Sequence, residues 1–215
     1  MQKKQQQSDE RYTYGDYLKW PDEERWELID GQPYDMTPAP TIDHQSILLE
    51  LSIQFGLFFR GKKCRVFIAP VDVLFPKDEH EKDEKVQDVV QPDLIIVCDP
   101  EKIGEKRIRG SPDLAIEIVS PSTVSKDTIK KRRLYEKHGV KEFWLVHPID
   151  RLVTTYSLGE DGFFQKIEYY DSEATIKETL FPGLEIDLKT VFPKVVPREV
   201  KESPAKYKNL RERRK

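Results

Sequence analysis

The sequence predicts a mixed α/β fold, a twisted mixed sheet flanked by helices, with an extra N-terminal hairpin and extra C-terminal strands. Three observations predict it. Ile47, Leu48, Leu51, Phe55 and Phe58/Phe59 recur at helical spacing. Three apolar runs of strand length follow, at residues 66–75, 89–98 and 112–120. A Lys-rich segment at 122–138 then separates them from a fourth run at 141–147. The order helix, three strands, helix, strand buries its apolar faces by packing helices on a sheet.

Each element has its own signal. Residues 1–11 are polar and Gln-rich, the composition of a disordered tail. Residues 14–20 read as a short helical turn. Residues 26–29 and 32–36 flank Asp30-Gly31, a tight-turn pair, and so read as a hairpin. Residues 37–40 connect to the first long helix, with Thr41 or Asp43 as its cap and Gly61 beyond its end. Residues 77–87 carry both charges and read as a solvated loop. Gly139 stops the second helix. Residues 151–158 and 163–170 pair across Gly159-Glu160-Asp161-Gly162, and 174–179 and 184–188 flank Pro182-Gly183. Residues 194–215 carry nine Lys/Arg against three Glu and few apolar groups, the pattern of a basic disordered tail or loose helix. The ordered domain is therefore expected over 12–193.

The 215 residues suffice for one domain with a sizeable core. The net charge of -3 gives no overall support to nucleic-acid binding, so any such contact needs a local basic patch. Cys64 and Cys98 lack metal-ligand spacing and lie in strand-like contexts, and both read as reduced core thiols. With no apolar signal-like segment and no membrane-length run, a cytoplasmic location is expected. There is no phosphate-cradling Gly-rich loop and no zinc spacing.

Two acids stand where buried strands do not want them. Asp93 opens the run Leu94-Ile95-Ile96-Val97, and Glu117 lies between Ile116 and Ile118. A buried carboxylate must be paired, hydrogen-bonded or bound to a metal. A Pro-Asp on one strand, a Glu inside the next and then a Lys-rich helix outline a metal-dependent phosphodiesterase site. The plainer alternatives are a turn residue at Asp93 and a buried ion pair at Glu117.

These residues carry a family resemblance, together with Trp26-Glu27-Leu28-Ile29-Asp30-Gly31, Pro38-Ala39-Pro40 before His44, Gln91-Pro92-Asp93, the block from Pro112 to Ser122, Asp127, Lys131, Tyr135, and the block from Gly139 to Val146. Over residues 12–193 the chain resembles the Uma2 (DUF820) group of endonucleases, within the PD-(D/E)XK nuclease superfamily. The resemblance implies a restriction-endonuclease-like core and a Mg²⁺- or Mn²⁺-dependent endonuclease acting on DNA. It implies Asp93, Glu117 and the backbone carbonyl of Ile118 as metal ligands, since Mg²⁺ takes hard oxygen donors and keeps several waters. Val119 stands where the superfamily pattern has its Lys, so Lys131 on the next helix is the replacement, acting on the attacking water. Double-strand cleavage by paired sites implies a homodimer.

Other residues have two readings. Lys131 is four residues from both Asp127 and Tyr135, so it either serves the site or pairs with Asp127. Glu27 is either a supporting carboxylate or an exposed hairpin residue paired with Arg25 or Lys19. Asp72 reaches the same pocket or faces solvent. His44 contacts phosphate or a bound water, or bonds locally at its helix start. Gln91 positions the attacking water. Phe143 and Trp144 read as core, and Ser120 and Ser122 as helix caps. The rival reading of the chain is a nuclease-fold module that binds nucleic acid or protein without cleaving.

Overall fold

The computed structural model describes residues 10–21, 24–36, 39–120, 125–177 and 179–193. The elements, in chain order, are α1 (Tyr14–Tyr17), β1 (Trp26–Ile29), β2 (Gln32–Asp35), α2 (Ile42–Phe59), β3 (Arg65–Ile68), β4 (Asp72–Leu74), β5 (Val89–Val90), β6 (Leu94–Val97), β7 (Arg107–Arg109), β8 (Leu114–Ile118), α3 (Arg132–Lys137), β9 (Glu142–His147), β10 (Leu152–Leu158), β11 (Phe164–Asp171), β12 (Thr175–Ile176), β13 (Ile186–Asp187) and α4 (Leu188–Val191). The basic tail and Ser122 lie outside the described residues.

The central six-stranded sheet has the order β11-β10-β9-β8-β6-β3 and is mixed: β8 and β9 run parallel, the other pairs antiparallel. A second sheet has the order β2-β1-β5-β4-β7. The parallel β8–β9 pair needs a crossover, which the Lys-rich helical segment supplies. The period-two alternation of β8 sorts its faces. Leu114, Ile116 and Ile118 join α2 residues Ile47, Leu51 and Phe55 and the buried Trp144 in one core. Ala115 and Val119 join Leu134, Tyr135 and Phe143 in the core on the α3 side. Thr41 caps α2 as expected, its side chain accepting from the His44 amide. Asp30 and Gly31, with φ of 52° and 69°, make the hairpin turn that the Asp-Gly pair predicts.

Four expectations are corrected. The runs 66–75 and 89–98 are each two strands rather than one. Each breaks at a proline, Pro70 or Pro92, which has no amide donor to continue a ladder. The outer halves, β3 and β6, pair in the central sheet, and the inner halves, β4 and β5, pair in the second. Secondly, residues 77–87 are not wholly solvated: Val86 is buried, and Asp83 pairs with Arg107 at 2.7 Å and Arg109 at 3.0 Å, tying the segment to β7. Thirdly, the described part of the second helix is not uniformly α-helical; Lys126–Lys131 form a π-helical turn that runs into α3.

Fourthly, Cys64 and Cys98 are not free thiols but form a disulfide. The antiparallel register pairs Arg65 with Val97, so one step outward sets Cys64 opposite Cys98. A spacing of 34 residues hides this neighbourhood until the strands pair.

Asp88 ties the hairpin to the end of α3. Its carboxylate accepts from the Asp30 amide, Lys137 Nζ at 2.9 Å and lies 3.0 Å from His138 Nε2. Burial pushes its carboxyl up, but the bonds from His138, Asp30 and Lys137 outweigh that and hold it at about 2. A depressed carboxyl contributes stability above its unfolded value and loses it as pH falls toward the folded one. From an ordinary 3.8 to about 2, this is about 2 kcal/mol at neutral pH. Asp88→Asn should therefore lower the melting temperature at pH 7 by about 4–8 °C. The gap from wild type should close between about pH 4 and pH 2, as thermal melts across that range will read. A constant gap would mean that the carboxylate's charge is not what stabilises the contact.

Candidate active site

The site forms at the end of the central sheet where β6 and β8 begin to part. The β6–β8 register pairs Leu94 with Ile116, so one step further places Asp93 across from Glu117. Glu117 lies on the α3 face by strand alternation, and Asp93, just before β6, reaches α2 through His44. They line a cavity of about 360 Å³, with Arg25, His44, Lys126 and Lys131 also in its walls.

Asp93 is held at both oxygens. Its Oδ2 accepts from the Ile118 amide at 2.7 Å, and its Oδ1 lies 3.2 Å from His44 Nε2. His44 is in the first turn of α2, on the same stripe as Ile47, Leu48 and Leu51, and is buried with them. Its Nδ1 is buried and, among the described residues, has no hydrogen-bond partner. An orphaned buried polar atom is costly, and in a polar cavity it is an open valence for a ligand or water.

Glu117 Oε1 accepts from Lys131 Nζ at 2.9 Å and from the Tyr135 hydroxyl at 2.5 Å. Lys131 Nζ also lies 2.6 Å from Glu27 Oε1 and 3.7 Å from Asp127 Oδ1. Glu27 is fully buried; its second oxygen takes Lys126 at 2.6 Å, and its first also accepts the Gln91 amide at 3.0 Å. Of the two readings of Glu27, the exposed residue paired with Arg25 or Lys19 does not hold. Its strand neighbour Leu28 is a core residue, and the hairpin packs under the Lys-rich helix rather than standing in solvent.

The charges are strongly linked. Burial alone would push Lys131 down, but Glu117, Glu27 and Asp127 more than offset it and hold the ammonium well above its usual range. Glu27 is held low: burial pushes it up, while Lys131 and Lys126 outweigh burial. Glu117 is pushed well up, chiefly by burial and further by Asp127, Asp93 and Glu27, against the pull of Lys131. Three carboxylates, Glu27, Glu117 and Asp127, thus share two ammonium groups, with Asp93 on His44 and Arg25 further out on Gln91 at 2.7 Å.

The other sequence candidates separate. Asp72 does not line the cavity; it accepts from Gln91 Nε2 at 2.8 Å and from the Tyr14 hydroxyl at 3.2 Å. Gln91 lines the wall, but its side chain is committed to Arg25 and Asp72, which makes it a strut rather than a holder of water. Val119 packs in the α3-side core, and the Lys131 ammonium reaches Glu117 in place of a lysine at that position.

The sequence spacing does not mark Lys126 for this site. In an α-helix, residues five apart point about 140° away from each other, so Lys126 and Lys131 read as different faces. The π-helical turn bonds residues five apart and brings both lysines onto Glu27. Tyr135 was legible as a face-mate of Lys131, but its bond to Glu117 was not.

Among the described residues no group of three or more His, Cys, Asp and Glu is arranged to hold a metal ion. The two facing carboxylates are the donor set present. They fit a hard cation that keeps most of its waters, and the excess of carboxylates over ammonium groups favours an added positive charge.

Known proteins share this architecture. A crystal structure titled as a putative nuclease belonging to DUF820, from Anabaena variabilis, superposes with a TM-score of 0.66 at 23% identity. It covers 84% of this chain and 97% of that one, which shows a common nuclease-like fold. The "Uncharacterized protein slr1290" of Synechocystis sp. is 26% identical over 161 residues, 74% of this chain and 80% of that protein. No described helix is long and apolar enough to cross a membrane. The model of the Uma2 family, described as "Putative restriction endonuclease", matches residues 14–189, the span that contains all three sheets and every residue of the site, and the chain belongs to that family.

Proposed function

We propose that the protein is a divalent-metal-dependent endonuclease that hydrolyses DNA phosphodiester bonds. The observation that carries this reading is the placement of Asp93 across from Glu117, with the Lys131 ammonium on Glu117, in a polar cavity. Asp93 and Glu117, with the Ile118 carbonyl beside them, would hold Mg²⁺ or Mn²⁺. When bound, the cation offsets phosphate charge and makes a bound water more acidic.

The chain's own groups do the rest. The Lys131 ammonium keeps its proton, so it acts as a donor and a fixed charge rather than as a base. It holds Glu117 in place and faces the negative charge that grows on the phosphate. Glu27 and Asp127 fix that ammonium from behind. His44 orients Asp93 through its Nε2. Two copies of the chain would supply the two sites that double-strand cleavage requires.

The test is plasmid nicking with Mg²⁺ or Mn²⁺ against a chelator, alongside Mn²⁺ calorimetry. Metal-dependent cleavage with saturable Mn²⁺ binding is the expected result. Saturable nucleic-acid binding with no cleavage under any metal would replace this reading by a non-cleaving module. Light scattering on the same samples reads the dimer.

A further inference from the structure

A second cavity, of about 580 Å³, opens beside the first between the N-terminal hairpin and α3. Its walls carry Arg11, Tyr34, Lys130, Arg133 and Lys137, together with Asp30 and Asp88. Arg11 pairs with Asp30 at 3.0 Å and Lys137 with Asp88 at 2.9 Å. Among the described residues the other two cations have no such neutralisation. Lys130 sits on Tyr34, bonded to its hydroxyl and 4.5 Å from the ring centre. Arg133 is exposed, and among the described residues no carboxylate lies within ion-pair distance of it. In a chain of net charge -3, a groove whose surplus charge is positive is a local exception.

The groove is joined to the active site along both walls. Lys130, Arg133 and Lys137 follow one another at helical spacing, on one face of the helical segment that begins at Lys126 in the site. On the hairpin, Tyr34 of β2 is the direct cross-strand partner of Glu27, and Met36 just beyond β2 lines the site cavity. A chain lying in the groove would run along the same helical segment and hairpin that wall the cavity lined by Asp93 and Glu117.

We infer that this groove is the track for the DNA backbone flanking the cleaved bond, with Lys130 and Arg133 each meeting a phosphate. The inference rests on the nuclease reading of the site. Regularly spaced cations along a helix suit a polyanion of regular spacing. Such contacts set register and affinity but carry no sequence information. Tyr34 offers an aromatic face beside them, which suits a neighbouring sugar or base.

The test measures binding of a fluorescent DNA duplex in chelator across a salt series, so that binding is separated from cleavage. The proteins are wild type, Lys130→Ala/Arg133→Ala, Arg133→Lys, and Lys189→Ala as a control. Lys189 is exposed on α4, which packs on the opposite face of the central sheet. Each lost phosphate contact lowers the slope of log K against log salt by about 1. The double variant should therefore lose about 2 from the slope, and Arg133→Lys and Lys189→Ala should lose nothing. Thermal melts confirm that the variants fold. DNA binding by wild type with an unchanged slope in the folded double variant overturns the groove and leaves the nuclease reading standing. Equal losses in Lys189→Ala would also overturn it, since the effect would then be general charge. No DNA binding and no cleavage by wild type overturns both.

Discussion

Lys131→Met is expected to destabilise the protein by about 3–5 kcal/mol. Lys131 is 2% exposed and holds Glu27, Glu117 and Asp127 at 2.6, 2.9 and 3.7 Å. Methionine keeps much of the volume but leaves buried carboxylates without their shared cation. Lys126 still serves Glu27, which caps the loss. Urea unfolding will read the difference, with a melting shift of roughly 10 °C for a domain of this size. Lys131→Arg retains the charge but not the fit in a closed site, so it should recover only part of the loss. A loss under about 1 kcal/mol in Lys131→Met would show that the carboxylates take up protons or water freely, and that the site is wetter than its geometry indicates.

Glu117→Gln should act in the opposite way. It removes one carboxylate from a cluster in which acids outnumber ammonium groups, so stability should hold or rise slightly. The amide oxygen still accepts from Lys131 and Tyr135. What it loses is the charge that a hard cation needs. Saturable Mn²⁺ binding should disappear, and with it the rise in melting temperature that Mn²⁺ gives wild type. Metal-dependent DNA cleavage should fall by about a thousandfold or more, or about 4 kcal/mol of barrier. A folded Glu117→Gln that cleaves at the wild-type rate would remove Glu117 from the chemistry. Asp93→Asn should share the metal and cleavage losses, but also weaken the tie to His44.

The pair of variants separates two jobs that one cluster performs. Lys131 balances buried charge, and on the proposed reading would also serve the chemistry, whereas Glu117 is costly to bury and would return that cost only if a cation or a substrate arrives. Buried acids that are under-compensated by their own protein are the signature of a site rather than of a core.

Much of this was legible in the residues. The acids at Asp93 and Glu117 stood out because apolar strands reject charge, a local argument that needs no fold. The helical stripe of α2, the Asp-Gly turn and the order of elements follow from periodicity and turn chemistry. His44 was legible too, since it shares a stripe with Ile47, Leu48 and Leu51. Glu27 was ambiguous, because a short hairpin strand does not say which face will be covered.

What the sequence by itself determined is therefore the class of fold, the family and the two strand acids, all of which rest on short-range pattern. Tertiary structure decided the rest. It paired Cys64 with Cys98 and Asp93 with Glu117, because antiparallel register joins residues far apart in the chain. It split two strands at Pro70 and Pro92 between two sheets, because a missing amide ends a ladder only where a partner strand would need it. It also put Lys126 beside Lys131, because burying Glu27 under the helix rewards a π-helical turn that no residue propensity announces.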